Sequence, residues 1–100
     1  MSASISPASV IQAVREQVSC EIDGEAVVLN LRDGVYYSLN PVGAKLWTLL
    51  QDHRTLRELC DALLQEYPGL EAERCESDVL RLISQMAEWE LVEIGNTVET

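Results

Sequence analysis

The sequence predicts a two-layer α+β domain, three antiparallel strands followed by three helices. Three observations carry this: β-type alternation confined to residues 18–39, two glycine-containing turns that divide it, and helical spacing of apolar residues from residue 42 to about residue 90.

In the first strand Val18, Cys20 and Ile22 share one face. Asp23-Gly24 then supplies a tight turn, because glycine tolerates positive φ. EAVVLNL, residues 25–31, is apolar and β-rich enough to be the central strand; Val27, Leu29 and Leu31 alternate there with Val28 and Asn30. Arg32-Asp33-Gly34 makes the second hairpin turn. VYYSL, residues 35–39, is the third strand, with Val35, Tyr37 and Leu39 on one face and Tyr36 and Ser38 on the other.

Asn40-Pro41 opens a helix, asparagine as cap and proline at the first helical position. That helix carries Val42, Leu46, Leu49 and Leu50 with Trp47 beside them, and ends near Asp52. Thr55 and Glu58 form a capping box for a second helix, whose stripe is Leu56, Leu59, Cys60, Leu63, Leu64 and Tyr67. Pro68-Gly69 stops it. A third helix starts between Glu71 and Ser77, carries Val79, Leu82, Ile83 and Met86 flanked by Leu80 and Ala87, and runs to about Glu90. Residues 91–94 read as a short extended closing piece. The Ser- and Ala-rich start with Pro7 predicts a loose arm to about residue 9; residues 10–15 fit a short strand or a helical turn equally well, and the flexible arm is taken to extend through residue 13. Residues 14–94 are the expected domain and residues 95–100 a tail.

Composition narrows the function. One hundred residues make one domain, and 47% hydrophobic content can fill a core, without any phenylalanine. Seven basic against 17 acidic residues, a net charge of −10, repel phosphate backbones and anionic lipid surfaces, so neither nucleic acid nor membrane is an expected partner. Cys20, Cys60 and Cys75 are odd in number and lack CxxC spacing, which speaks against a disulfide framework or a zinc site. The first residues lack a signal-peptide pattern, and no apolar run reaches the ~18 residues of a membrane helix, so a reduced, cytoplasmic protein is expected. His53, the single histidine, lies between Asp52 and Arg54 in an inter-helix loop. Cys60 sits on a helix stripe and reads as core, while Cys75 is the best candidate for an exposed thiol and has no base nearby. No catalytic constellation assembles, so no enzyme activity, metal or cofactor is expected.

In a meander of three strands the outer two each keep a free row of N–H and C=O groups. VYYSL contains no lysine, proline or charge to blunt that edge, which suggests that it accepts another strand. Four backbone bonds at ~1 kcal/mol each give ~4 kcal/mol. A micromolar complex needs ~8 kcal/mol. Apolar anchors in a groove between the third strand and a helix must supply the difference. One tyrosine would fix the sheet to the helices and the other would wall the groove; alternation alone does not say which, and either also reads as an ordinary strand residue.

The order Gly34-x-Tyr36-Tyr37-x-Leu39-Asn40, Gly43, Leu46-Trp47, Arg54-Thr55, Leu59, Leu63-Leu64, Asp78-Val79-Leu80 and Leu91-Val92 resembles the PqqD family over about residues 14–94. The resemblance implies a winged-helix-like fold of three strands and three helices. It also implies a recognition element of ribosomally made, post-translationally modified peptide pathways, of which stand-alone lasso-peptide members are one type and the protein beside the radical enzyme of PQQ synthesis another. Such a protein binds the leader of a precursor peptide as a fourth strand, against the third helix, and hands it to a modifying enzyme or leader peptidase. By position the peptide-binding residues would be Val35, Tyr36, Tyr37 and Ser38 on the strand and Asp78, Arg81, Leu82 and Gln85 on the helix. Asp78 and Arg81 would pair with leader charges or remain solvated, and Leu82 would line the groove or belong to the core. A generic interaction adaptor is the alternative. A winged-helix DNA-binding regulator fits the fold order too, but its third helix would offer only Arg74 and Arg81 among Glu71, Glu73, Glu76, Asp78 and Glu88. A free edge can also pair with itself, which admits a homodimer.

Overall fold

The structure, a computed structural model, describes residues 5–95. In chain order its elements are β1 (Val10–Ala13), β2 (Gln17–Ile22), β3 (Glu25–Asn30), β4 (Val35–Leu39), α1 (Pro41–Leu49), β5 (Arg54–Thr55), α2 (Leu56–Glu66), α3 (Ala72–Glu88) and β6 (Val92–Gly95). The expected three-stranded antiparallel meander is β2-β3-β4, with β3 central, and the three helices follow it. A second antiparallel sheet, β5-β1-β6, accompanies it.

Both hairpin turns form where the glycines stand. Asp23 (φ 53°) and Gly24 (φ 80°) are both left-handed, as a two-residue type I′ turn requires. Gly34 takes φ 71° with open space around it, so conformation rather than crowding selects glycine there.

The helix starts are also as the sequence predicts. Asn40 Oδ1 accepts the Gly43 N–H at 2.8 Å. The Thr55 hydroxyl accepts the Glu58 N–H at 3.1 Å, and the Glu58 carboxylate accepts the Thr55 N–H at 2.9 Å. α1 stops at Leu49 rather than near Asp52. α3 ends in a Schellman motif: the Leu91 N–H donates to Met86 C=O at 2.9 Å and the Glu90 N–H to Ala87 C=O at 3.0 Å.

The inner face of the main sheet contributes Ala26, Val28 and Leu39 to one buried cluster with Leu46, Leu59, Leu63, Val79, Ile83 and Met86 of the helices. Asn30 lies on the same face and is fully buried. Its Nδ2 donates to Trp89 C=O at 2.9 Å and its Oδ1 accepts the Arg32 N–H at 2.8 Å, so the buried amide is satisfied at both ends. It ties the β3–β4 turn to the end of α3.

The loose arm expected through residue 13 is a correction. Residues 10–13 are β1, Ile11 is fully buried, and β1 pairs in register with β6 from Val10↔Gly95 to Ala13↔Val92. The segment before it is also tied down: Ser9 and Pro7 carbonyls accept the Leu56 and Arg57 N–H groups, donors that the first turn of α2 cannot satisfy itself. The expected extended piece at residues 91–94 is β6, shifted by one residue. Of the expected arm and tail, residues 1–4 and 96–100 lie outside the described residues.

Candidate functional site

The type I′ turn fixes which backbone groups of β4 are free. It makes Ile22↔Glu25 a hydrogen-bonded pair. Successive residues of β3 then bond alternately to β2 and to β4. Consistent with this, the Leu31 N–H donates to Glu16 C=O at 3.0 Å, on the β2 side, and Asn30 C=O accepts the Gly34 N–H at 2.8 Å, on the β4 side. Val28 therefore exchanges its bonds with its partner Tyr37, and Ala26 with Leu39. Tyr36 and Ser38 turn their N–H and C=O groups the other way, where the sheet order ends. Among the described residues no strand continues the sheet past β4.

The side chains of the two tyrosines part in the same way. Tyr37 faces inward, its ring stacked on Trp89 with centroids 4.8 Å apart. Its hydroxyl donates to Asp33 Oδ2 at 2.9 Å, while Asp33 Oδ1 accepts the Val35 N–H at 2.9 Å. Desolvation, followed by the hydrogen bond and negative charge of Asp33, raises the Tyr37 pKa above its usual 10.0, so the phenol stays protonated. Tyr36 faces outward and is 69% exposed.

Beyond the end of β4 lies a groove of about 430 Å³ against α3, lined by Asn40, Val42, Arg74, Asp78, Arg81 and Leu82. A second, more apolar hollow of about 590 Å³ shares Val42 and Asp78 with it and runs on past Leu63, Tyr67 and Leu70. Arg74 Nε lies 3.9 Å from Asp78 Oδ2, one helical turn apart. Among the described residues Arg81 has no carboxylate within ion-pair distance.

The structure thus brings Asp78, Arg81 and Leu82 together in one groove. Gln85 is exposed one turn beyond Arg81 and is not in that lining. Val35 and Ser38 are exposed on β4. Sequence reasoning missed Trp89, which braces Tyr37, and gave Val42 no more than a place on a helix stripe. Trp89 was within reach, since it stands seven residues after Leu82, two turns along the same helix face.

The expected exposed thiol is a correction as well. Cys75 is fully buried, its Sγ donating to Cys60 C=O at 3.6 Å, and Cys20 is the exposed cysteine. Burial pushes both inner thiols up, Cys60 to about 12 with Cys75 adding to the effect, so neither is a thiolate nucleophile at neutral pH. His53 is exposed. Among the described residues no group of three or more His, Cys, Asp or Glu side chains could hold a metal ion. Nor is any helix among them long and apolar enough to cross a membrane.

Fold and site together define a winged-helix-like α+β domain whose β4 edge no strand pairs among the described residues, with a helix-walled groove beyond the end of that strand. Residues 25–92 match the family model of coenzyme PQQ synthesis protein D, PqqD, and the chain belongs to that family. Among solved structures, TbiB1 in complex with the TbiA(β) leader peptide is 33% identical, with a TM-score of 0.76 over 82% of this chain and 94% of that one. A lasso peptide synthetase B1 complexed with the leader peptide shares the fold, with 24% identity and a TM-score of 0.72 over 83% of this chain and 96% of that one. No curated protein matches the chain.

Proposed function

We propose that this chain is a non-catalytic recognition protein of the lasso-peptide type. In the cytoplasm it binds the leader region of a precursor peptide as a fourth strand on β4 and presents it to a modifying enzyme or leader peptidase. The observation that carries this is the outward-turned backbone of Tyr36 and Ser38, which no strand pairs among the described residues, with the α3 groove beyond the end of β4. Kinship with TbiB1, which was solved with a leader peptide bound, supports the same reading.

Tyr36 and Ser38 supply up to four backbone bonds, worth ~4 kcal/mol at ~1 kcal/mol each. Val42 and Leu82 offer apolar floor for leader side chains, and burying two of these at ~2 kcal/mol apiece brings the sum to the ~8 kcal/mol of a micromolar complex. Arg81 takes a leader carboxylate, and Asp78, paired with Arg74, borders the same groove. Val35 and Tyr37 set the course of the edge rather than bond to the leader, and Gln85 extends the polar side of α3 past the groove.

The test is fluorescence polarisation with the leader of the cognate precursor peptide. Low-micromolar or tighter binding is expected, and no binding by the folded protein overturns the reading.

A further inference from the structure

All three helices join the core on the inner side of the main sheet, and among the described residues no element covers its outer face. The register aligns Val18, Leu29 and Tyr36 in one row across three strands. Val18 is 59%, Ile22 57% and Tyr36 69% exposed on that face. Leu31, two residues after Leu29 and still bonded to the Glu16 carbonyl, extends it at 53% exposure. A patch of this kind on a small, strongly charged protein marks a contact surface.

Three details identify what covers it. First, the row ends at the free edge of β4, so a peptide strand added there would place one of its own side chains beside Tyr36, in line with Leu29 and Val18. A body resting on the row would touch recognition protein and peptide at once. Second, the rim is acidic: Glu25 stands opposite Ile22 on this face, and Asp23 stands at the turn. Third, Arg32 is held by Glu16 at 3.3 Å, so that pair leaves the negative charge of Glu25 and Asp23 standing. A second copy of this chain would set acid against acid, whereas a patch edged with lysine or arginine complements the rim.

We propose that the outer face of the main sheet is the docking surface for the enzyme that acts on the bound peptide, a protein presenting an apolar patch edged by Lys or Arg. The proposal rests on the leader-binding reading above and adds the side from which the enzyme approaches.

The experiment uses the full chain and the purified enzyme that processes its cognate precursor peptide. Val18→Lys combined with Ile22→Lys reverses the character of the face at two exposed sites that touch neither the β4 edge nor the α3 groove. Calorimetry of chain with enzyme, with and without precursor, is expected to show association at least about tenfold weaker for the variant. Association of the wild type is expected to weaken as salt rises. An unchanged thermal midpoint and unchanged leader binding by fluorescence polarisation show that fold and edge survive. Association of variant and wild type within about twofold of each other, or none for the wild type even with precursor present, overturns the proposal. So does a wild-type dimer that the two lysines dissociate, because the face would then be homotypic. Leader binding is read separately on the chain alone, so its absence in the wild type overturns the leader reading and is not mistaken for failure at the outer face.

Discussion

The ring of Tyr37 lies on the Trp89 indole, centroids 4.8 Å apart and planes 27° apart, and the Tyr37 hydroxyl reaches back to Asp33. One side chain thereby links the end of α3, the β3–β4 turn and the edge strand. Tyr37→Ala is expected to lower the urea midpoint of unfolding clearly, and Tyr37→Phe to lower it only slightly, because the stack remains. Tyr36→Ala, on the exposed face, is expected to change stability by no more than about 0.5 kcal/mol. Equal losses for Tyr36→Ala and Tyr37→Ala would contradict the division of labour between the two residues. The sign of the pH effect follows from the raised Tyr37 pKa. The contribution is complete below the unfolded pKa of about 10 and is lost as pH rises through the higher folded value, a loss that Tyr37→Phe removes.

Proline scanning reads the free edge directly. The Ser38 N–H faces away from β3, so Ser38→Pro removes no ladder bond and an edge strand tolerates it. It does remove a donor to the leader, and binding by fluorescence polarisation is expected to weaken about tenfold, roughly 1.4 kcal/mol. Ser38→Ala keeps that donor and is expected to bind like the wild type. Tyr37→Pro breaks a bond to Val28 and is expected to cost folding itself. Indistinguishable leader affinity for Ser38→Pro and Ser38→Ala would exclude strand addition on β4.

On α3 the groove separates two residues that the family pattern groups together. Arg81 lines it and Gln85 does not. Arg81→Ala is expected to weaken leader binding about fivefold, near 1 kcal/mol, and to flatten its salt dependence. Gln85→Ala is expected to leave affinity within about twofold, as for a peripheral contact. The reverse ranking would place the leader one turn further along the helix.

The thiols give an independent check on the core. Cys20 is exposed, whereas Cys60 and Cys75 lie inside against one another. A disulfide-exchange reagent is expected to titrate one thiol rapidly in the native protein and two more only in denaturant. Because burial raises the Cys60 pKa from 9.0 to about 12, its contribution to stability is complete below pH 9 and is lost between about 9 and about 12. Two fast native thiols would mean that the α2–α3 contact is open.

What could be read from the sequence follows from how local each signal is. The type I′ turn at Asp23-Gly24, the Asn40 cap and the Thr55–Glu58 box are each set by residues within four positions of one another, and each forms as expected. Of the second sheet the extended piece at 91–94 was legible and a strand at 10–15 was one of two readings, but their pairing was not. Its strands are two to four residues long, too short for a period, and Val10 finds its partner at Gly95. Cys75 was misplaced because α3 was expected to start anywhere up to Ser77. With the helix starting at Ala72, Cys75 simply continues the Val79 and Ile83 stripe back by one turn. Which tyrosine turns outward depends on which face the helices cover, a tertiary choice that alternation leaves open. The groove residues Asp78, Arg81 and Leu82 were legible through the family pattern and not through their own chemistry.

The end of α3 carries strain where the site is braced. Glu90 occupies the left-handed position of the Schellman motif at φ 59°, a position usually taken by glycine where that motif forms. A side chain there costs about 1 kcal/mol. Glu90 also follows Trp89, and its charge adds to the raised Tyr37 pKa. Glu90→Gly relieves the backbone and removes that charge, against a greater loss of chain entropy on folding. The balance is expected to be a stabilisation of about 0.5 kcal/mol, visible as a rise in the urea midpoint with an unchanged slope. Glu90→Gln keeps the strain and removes only the charge, so it is expected to lower the apparent Tyr37 pKa by ultraviolet titration without the gain in stability. A midpoint for Glu90→Gly below that of Glu90→Gln would show that the left-handed turn is not what limits the helix end.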